Sequence, residues 1–107
     1  MGIGEEKKRE WLETADRFFE AGDFKAMRAC AREILTHDLD DLDGLALFAQ
    51  ASLYMGEAEQ ARRFIARVLS ADPHHWRMLL VAGEEAAAEF ALYRGMPYLE
   101  RLWQMLF

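Results

Sequence analysis

The chain has few of the features that mark membrane or secreted proteins. Its 107 residues include one cysteine, Cys30, which excludes an internal disulfide and favours a reducing compartment. No apolar run approaches the ~18 residues of a membrane span. The N-terminal residues also lack the apolar stretch of a signal peptide. We therefore expect a cytoplasmic protein that does not enter a membrane.

Basic residues are also in the minority. The chain has 13 Lys and Arg residues against 19 Asp and Glu, a net charge of −6 at pH 7. Such a chain is poorly suited to bind nucleic acid or an anionic membrane, so we expect neither partner. Hydrophobic residues make up 52% and charged residues 30%, a mixture typical of a folded domain. The length is that of a single domain, residues 1–107.

No segment alternates apolar and polar residues as a half-buried strand does. Apolar and small residues instead recur at i, i+3, i+4 and i+7, the spacing of a helix with one buried face. The first such segment contains Trp11, Leu12, Ala15, Phe18 and Phe19. Three more segments with this spacing begin near Phe24, Leu45 and Ala58. The chain is therefore predicted to be all-α.

A repeat of 34 residues relates the first half of the chain to the second. It brings Gly22 onto Gly56, and it matches apolar or small residues at several further positions. The matched pairs are Trp11 with Leu45, Ala15 with Ala49, Phe19 with Leu53, Ile34 with Val68 and Leu35 with Leu69. Glycine can adopt the left-handed conformation that ends a helix. Each repeat is therefore predicted to be a helix, a tight turn and a second helix.

Capping residues predict where the later helices begin. Asp23 is expected to cap the second helix, and an aspartate of the 38–43 segment the third. Asp72 is expected to cap a helix that has Pro73 at its first position. The segment from Trp76 to Tyr93, which has no helix breaker except Gly83, is predicted to be one long fifth helix, with a short sixth helix over 97–106. The units are then about 8–39, about 42–73, and a degenerate repeat or cap over 74–107.

These residues resemble the tetratricopeptide repeat family, and in particular its short bacterial members. The second unit carries the family pattern at Leu45, Phe48, Ala49, Gly56, Ala61, Ile65 and Pro73. The first unit carries it at Trp11, Ala15, Phe18, Gly22 and Phe24, and departs from it at Met27 and Leu39. The third carries it at Leu79, Ala82, Gly83 and Ala86 and then departs. The resemblance implies a right-handed solenoid of about six helices in three antiparallel pairs.

The resemblance also implies a function. In this family the first helix of each pair lines a concave groove that holds a peptide or helix of a partner protein. The corresponding positions here are Arg9, Leu12, Asp16, Phe19, Asp43, Ala46, Leu47, Gln50, Tyr54, Arg77, Leu80 and Glu84. We expect a partner with apolar anchors and some basic charge, for which Phe19 and Tyr54 are the strongest contacts. Only Arg77 suits the family's clamp for a peptide carboxylate, so we do not expect that clamp.

The C-terminal helix is predicted to be apolar on almost every side, and two interpretations of it stay open. It could fold back and seal the stack, or it could be a self-association surface. The residues of that surface would be Leu99, Leu102, Trp103, Leu106 and Phe107. Under the second interpretation the chain is a structural protein that forms homo-oligomers, and a homodimer is the simplest case.

Clusters of polar residues predict no metal site. His37 and the aspartates of the 38–43 segment lack the spacing of a calcium loop, so we interpret them as a solvated linker. His74 and His75 are adjacent on the chain and point in different directions, so they chelate poorly. We interpret them as the surface of a first helical turn. No cofactor is expected.

No catalytic site is predicted either. Cys30 has no histidine on its helical face and is expected to be a buried apolar residue. Adjacent Glu84 and Glu85 diverge, so we interpret them as a solvated face. Five arginines on the second helices are interpreted as solubility charge: Arg28, Arg32, Arg62, Arg63 and Arg67. We therefore expect a non-enzymatic adaptor or small chaperone, similar to the small tetratricopeptide chaperones of bacterial secretion systems.

Overall fold

A computed structural model describes residues 4–90, 101 and 104–106 of the chain. Within them the only regular secondary structure is helical. Five helices follow one another: α1 (Glu5–Glu20), α2 (Phe24–His37), α3 (Leu42–Tyr54), α4 (Ala58–Ala71) and α5 (Trp76–Phe90). The predicted all-α class and the first four predicted helices are confirmed. The predicted end of the fifth helix and the start of the sixth lie outside the described residues.

The two inner turns have the same backbone geometry 34 residues apart. The N–H groups of Gly22 and Asp23 bond to the carbonyls of Phe19 and Phe18, at 3.0 and 2.9 Å. Gly56 and Glu57 repeat this with the carbonyls of Leu53 and Ser52, at 3.1 and 2.9 Å. Both glycines have positive φ, 77° and 83°. These are Schellman motifs, which turn the chain sharply and let each helix pack on the next.

Aspartates cap two of the helices as predicted. The Asp23 carboxylate accepts a hydrogen bond from the Ala26 N–H at 3.1 Å and caps α2. Asp41 accepts one from the Gly44 N–H at 2.9 Å and caps α3. The side-chain oxygens satisfy N–H groups that have no partner within the helix.

The fifth helix begins at Trp76 as predicted, but the predicted cap of a helix at Asp72, with Pro73 as its first residue, was wrong. Asp72 and Pro73 do not begin α5, because the Asp72 carboxylate accepts from the nearby His74 N–H at 3.0 Å and stabilises a turn. The helix begins at Trp76, and His75 caps it: its Nδ1 accepts from the Met78 N–H at 3.3 Å. Pro73 therefore lies in the turn that precedes α5 and not in the helix itself.

The third helix lies between two hydrophobic clusters and is buried on most of its sides. Each helix contacts the next along the chain, and α3 also contacts α1 and α5. Leu47 and Ala51 pack in the cluster of α1 and α2, whereas Leu45, Ala46 and Ala49 pack in the cluster of α4 and α5. A helix buried on opposite sides must be apolar around its circumference, as the sequence of α3 is.

Small residues allow the neighbouring helices to approach closely. Ala15 of α1 and Ala49 of α3, which the 34-residue offset relates, are both fully buried. Gly44 of α3 lies so near α2 that an added Cβ would come within 2.9 Å of Ile34 Cγ2. In the described part of the chain, no helix combines the length and the apolar character that crossing a membrane requires.

Candidate functional site

One face of the molecule is built from α1, α3 and α5, and we call it the odd-helix face. Three rows of contacting side chains cross it, and each row takes one residue from each of the three helices or their caps. The ionic row is Lys8, Asp43 and His75; the central row is Asp16, Gln50 and Arg77; the aromatic row is Phe19, Tyr54 and Glu84.

In the ionic row, an ammonium group and an imidazole share one carboxylate. Lys8 Nζ lies 2.8 Å from Asp43 Oδ2 and 3.0 Å from Asp41 Oδ2. His75 Nε2 lies 3.0 Å from the other oxygen of Asp43. Since Nδ1 of His75 accepts from the Met78 N–H, the neutral ring carries its proton on Nε2 and donates it to Asp43. The row thus ties α1 to α3 and to the start of α5.

These contacts favour the charged forms of the lysine and the aspartate. Burial opposes the Lys8 charge, but its bonds to Asp43 and Asp41 outweigh that effect and raise the pKa of Lys8. The hydrogen bond from His75 lowers the pKa of Asp43 well below its usual range. Burial acts against this shift, and the Lys8 ammonium reinforces it. The row is therefore an ion pair at neutral pH.

Arg77 is the centre of the second row. Its Nη1 donates to Gln50 Oε1 at 2.8 Å and to Asp16 Oδ1 at 3.1 Å, and its Nη2 donates to Asp16 Oδ2 at 3.4 Å. The Arg77 side chain is only 11% exposed, whereas that of Asp16 is 53% exposed. Because the guanidinium is held by a carboxylate of its own chain, it is poorly placed to bind the carboxylate of a peptide.

The aromatic row presents a half-exposed ring. Tyr54 is 41% exposed, and its ring lies 5.0 Å from that of Phe19 in an edge-to-face contact. Phe24 stacks against it at 5.1 Å. The Tyr54 hydroxyl donates to Glu84 Oε2 at 2.7 Å. Contacts from three other helices therefore hold the ring in one orientation.

The hydroxyl of Tyr54 stays protonated across the physiological range. Its hydrogen bond to the Glu84 carboxylate, together with burial, raises the pKa of Tyr54 to about 12. Deprotonation would place two negative charges against each other. The ring thus keeps its hydroxyl as a donor, and the exposed part of the site offers an aromatic surface beside a carboxylate.

Not every predicted groove residue is at this surface. Ala46 and Leu47 are fully buried, because α5 covers the first and the α1–α2 hairpin covers the second. Their side chains therefore line no open groove. Leu12 and Leu80 are half-buried, and Arg9 is exposed. The other seven predicted residues belong to the three rows: Asp16, Phe19, Asp43, Gln50, Tyr54, Arg77 and Glu84.

Three residues of the site were not predicted from the sequence. Lys8 lies two helical turns before Asp16 on the same side of α1, a spacing that could have indicated it. Phe24 follows the Gly22 turn and reaches back over Tyr54. The prediction that His75 lies on the helix surface was wrong, since the residue is 9% exposed and binds Asp43. Its position depends on which residue caps α5, and the sequence pattern placed a helix cap at Asp72 instead.

The proposed self-association residues fall mostly beyond what the structure describes. Leu99, Leu102, Trp103 and Phe107 lie outside the described residues. Leu106 is described and is 66% exposed, and its neighbour Met105 is 41% exposed.

The histidine, cysteine and acidic side chains of the described ranges show no metal-binding geometry. There, no three His, Cys, Asp or Glu side chains are grouped so that they could hold a metal ion. Cys30 is buried, as predicted, and burial followed by the charge of Glu33 raises the pKa of its thiol. A thiol with a raised pKa is a poor nucleophile at neutral pH.

Charge is divided between the two sets of helices. The odd-numbered helices α1, α3 and α5 carry 10 acidic and 5 basic residues, a net charge of −5. The even-numbered helices α2 and α4 carry 2 acidic and 6 basic residues, a net charge of +4. The molecule therefore presents helices of opposite net charge, although its total charge is acidic.

A comparison with known proteins found a similarity over part of the chain. Cellulose synthase 1 operon protein C of Komagataeibacter xylinus is 37% identical to it over 69 residues. The match covers 62% of this chain but 5% of the length of that protein, which contains tetratricopeptide repeats. No protein-family model matches the chain. No solved structure matches it either.

Proposed function

We propose that this chain is a non-enzymatic protein-interaction module, an adaptor or small chaperone of the cytoplasm. Its odd-helix face would hold a peptide or helix of a partner protein that carries apolar anchors and some basic charge. The observation that carries the proposal is Tyr54, a half-exposed aromatic ring fixed by contacts from other helices beside the Glu84 carboxylate. Fixed aromatic side chains are efficient anchors, because little freedom is lost when a partner binds.

The fold in this proposal is a right-handed tetratricopeptide-like solenoid. Three observations support it: the identical Schellman turns at Gly22 and Gly56, the buried alanines at the same 34-residue offset, and the contacts of α3 with both α1 and α5. The similarity to a repeat-containing protein agrees with it. In such a stack, the first helices of the pairs share one face.

The charge of the odd-helix face determines the partner we propose. An apolar side chain of the partner would pack on the open part of the Tyr54 ring. A neighbouring lysine or arginine would pair with Glu84 and be attracted to the same ring. The half-exposed Asp16 carboxylate offers a further acceptor in the next row. A basic, amphipathic segment therefore fits this face better than an acidic one.

The test is selection of a random 12-residue peptide library on the purified chain, followed by affinity measurements. We expect enriched peptides that combine apolar residues with lysine or arginine. Tyr54→Ala should weaken the best such peptide at least about tenfold, because the central anchor is lost. Leu39→Ala is the matched control, since Leu39 is exposed in the α2–α3 linker and is not one of the residues that contact Tyr54. Equal binding by Tyr54→Ala would refute the proposal.

A second pair of variants tests the basic part of the partner. Glu84→Gln should lower the affinity for a selected peptide severalfold. It should not change the affinity for a version of that peptide in which glutamine replaces the basic residues. Glu59→Gln, an exposed glutamate of α4, should affect neither peptide. An equal loss of affinity for the basic peptide and for its glutamine version would show that Glu84 acts only through the structure of the site.

The alternative function is self-assembly through the C-terminal segment, which the exposure of Met105 and Leu106 favours. Light scattering over a dilution series distinguishes the two. A species well above 12.4 kDa that Leu106→Asp dissociates would support self-assembly, with Leu39→Asp as the control at another exposed leucine. A concentration-independent monomer would exclude it.

A further inference from the structure

Helices α2, α3 and α4 together carry a second surface that the proposed function does not use. Its centre is Phe48 of α3, whose ring lies 5.1 Å from that of Phe64 on α4. Two arginines of α2, one turn apart, lie over the Phe48 ring: the guanidinium carbons of Arg28 and Arg32 are 5.7 and 5.9 Å from its centroid. We call these four residues the arginine–phenylalanine patch.

The two arginines differ in what binds them. Arg28 forms an ion pair with Glu57, which follows the Gly56 turn, and its side chain is 14% exposed. Arg32 is exposed, and within the described residues no carboxylate lies within ion-pair distance of it. The Arg28–Glu57 pair therefore shows, inside the molecule, how a carboxylate binds a guanidinium that lies over the Phe48 ring. Arg32 presents the same kind of group without one.

We propose that the arginine–phenylalanine patch is a docking site for an acidic peptide segment of a partner protein, whose carboxylate binds Arg32. The partner would complete at Arg32 the contact that Glu57 makes at Arg28. A guanidinium that lies over an aromatic ring still has N–H donors for a carboxylate, and the spacing of these donors matches the two carboxylate oxygens.

The surroundings favour a short acidic segment over a long polyanion. Helices α2 and α4 are net positive, but acidic residues border them at both ends: Asp38 and Asp40 at one, Glu57 and Glu59 at the other. Asp40 already pairs with Arg67. A nucleic acid long enough to pass these ends would meet their negative charges and the net charge of −6. One or two carboxylates at Arg32 avoid that repulsion.

This site is independent of the odd-helix face, because it selects the opposite charge. A random 12-residue peptide library selected on the wild-type chain should yield an acid-rich class of peptides in addition to any basic class. Selection on Arg32→Glu should lose the acid-rich class and keep the basic one. A wild-type selection that yields the acid-rich class without any basic class would count against the odd-helix face and leave this proposal standing.

Affinities measured by fluorescence anisotropy complete the test. Arg32→Ala should weaken the best acid-rich peptide about tenfold, and Arg32→Lys should weaken it severalfold, because lysine keeps the charge but lacks the planar fork. Arg17→Ala is the matched control, an exposed arginine on α1, and it should change the affinity less than twofold. Circular dichroism confirms that each variant is folded.

Three results would overturn the proposal. The first is a wild-type selection without an acid-rich class. The second is an acid-rich peptide that binds Arg32→Ala as tightly as wild type. The third is a ligand of another kind whose binding depends on Arg32. That ligand would be a 20-nucleotide single strand that binds more tightly than the peptide, or a second copy of the chain, seen as a dimer in light scattering.

Discussion

Arg77 on α5 reaches across α3 to Asp16 on α1, a residue 61 positions earlier in the chain. Its Nη1 and Nη2 donate to the two carboxylate oxygens of Asp16 at 3.1 and 3.4 Å, and Nη1 also donates to Gln50 at 2.8 Å. One guanidinium thus connects three helices. It also crosses the face proposed to bind a partner, so that the site and the packing of the helices depend on each other.

Replacing Arg77 by alanine should destabilise the fold by about 2 kcal/mol. The change removes three hydrogen bonds and leaves Gln50, which is 7% exposed, without its donor. The free energy of unfolding is measured by urea titration at pH 7. The control is Arg63→Ala, an exposed arginine whose loss should cost less than about 0.5 kcal/mol. Equal effects of the two changes would contradict the importance of this row.

The ionic row should make stability fall in acid. Because the pKa of Asp43 is lowered in the folded state, its charge stabilises the fold above the unfolded value of about 3.9. This contribution is lost as the pH falls below that value and through the folded pKa.

The measurement for the ionic row is urea unfolding of wild type and Asp43→Asn at pH 7, 4 and 2.5. The wild type should be the more stable protein at pH 7, and the difference should shrink as the pH falls. A difference that does not change with pH would show that Asp43 contributes through packing and not through its charge.

Gly56→Ala should cost about 1–2 kcal/mol through the backbone alone. Gly56 has a φ of 83°, which an L-residue adopts only with strain, and an added Cβ would meet no atom within 4 Å. Gly4→Ala is a matched control, because its Cβ also meets nothing while its φ of −68° suits any residue. Thermal unfolding of both variants measures the difference; a loss as large in Gly4→Ala would rule out this explanation.

Cys30 should react slowly with thiol reagents in the native protein. It is 3% exposed in the cluster of α1 and α2, and burial raises the pKa of its thiol. We expect the rate of modification by a chromogenic disulfide to be at least about 100-fold below that of glutathione, and to approach it in urea, since only an opened chain exposes the thiolate. Fast modification of the native chain would show that α2 opens readily.

The elements of the fold were largely predictable, because their signals are local. Helical spacing around Ala15 and Ala49, glycine at the two turns and the cap at Asp23 each depend on residues within about one turn of the chain. The residue that caps α5 was not predictable in this way. Asp72–Pro73 and His75 both offer plausible beginnings, and the contact of His75 with Asp43, 32 residues earlier, accompanies the later one.

Part of the candidate site was predictable from the resemblance to the tetratricopeptide repeat family, which implies that Asp43, Gln50 and Tyr54 lie on the groove side of the third helix. The burial of Leu47 was not. Leu47 lies on the same predicted face, but it packs together with Ala51 against the α1–α2 hairpin, which covers its side chain. How far a neighbouring helix covers a face depends on the distance between the helices, and no single-helix pattern contains that distance.

The amino-acid sequence is sufficient to determine the helices and turns of this protein, because backbone conformation and amphipathic periodicity are properties of short segments. Its acidic net charge follows from the composition alone. The pairing of Lys8 with Asp43, of Arg77 with Asp16 and of Tyr54 with Glu84 is different. Each pair joins residues at least 30 positions apart, and each depends on how α1, α3 and α5 lie beside one another. The chemistry of the odd-helix face therefore exists only once the helices have packed.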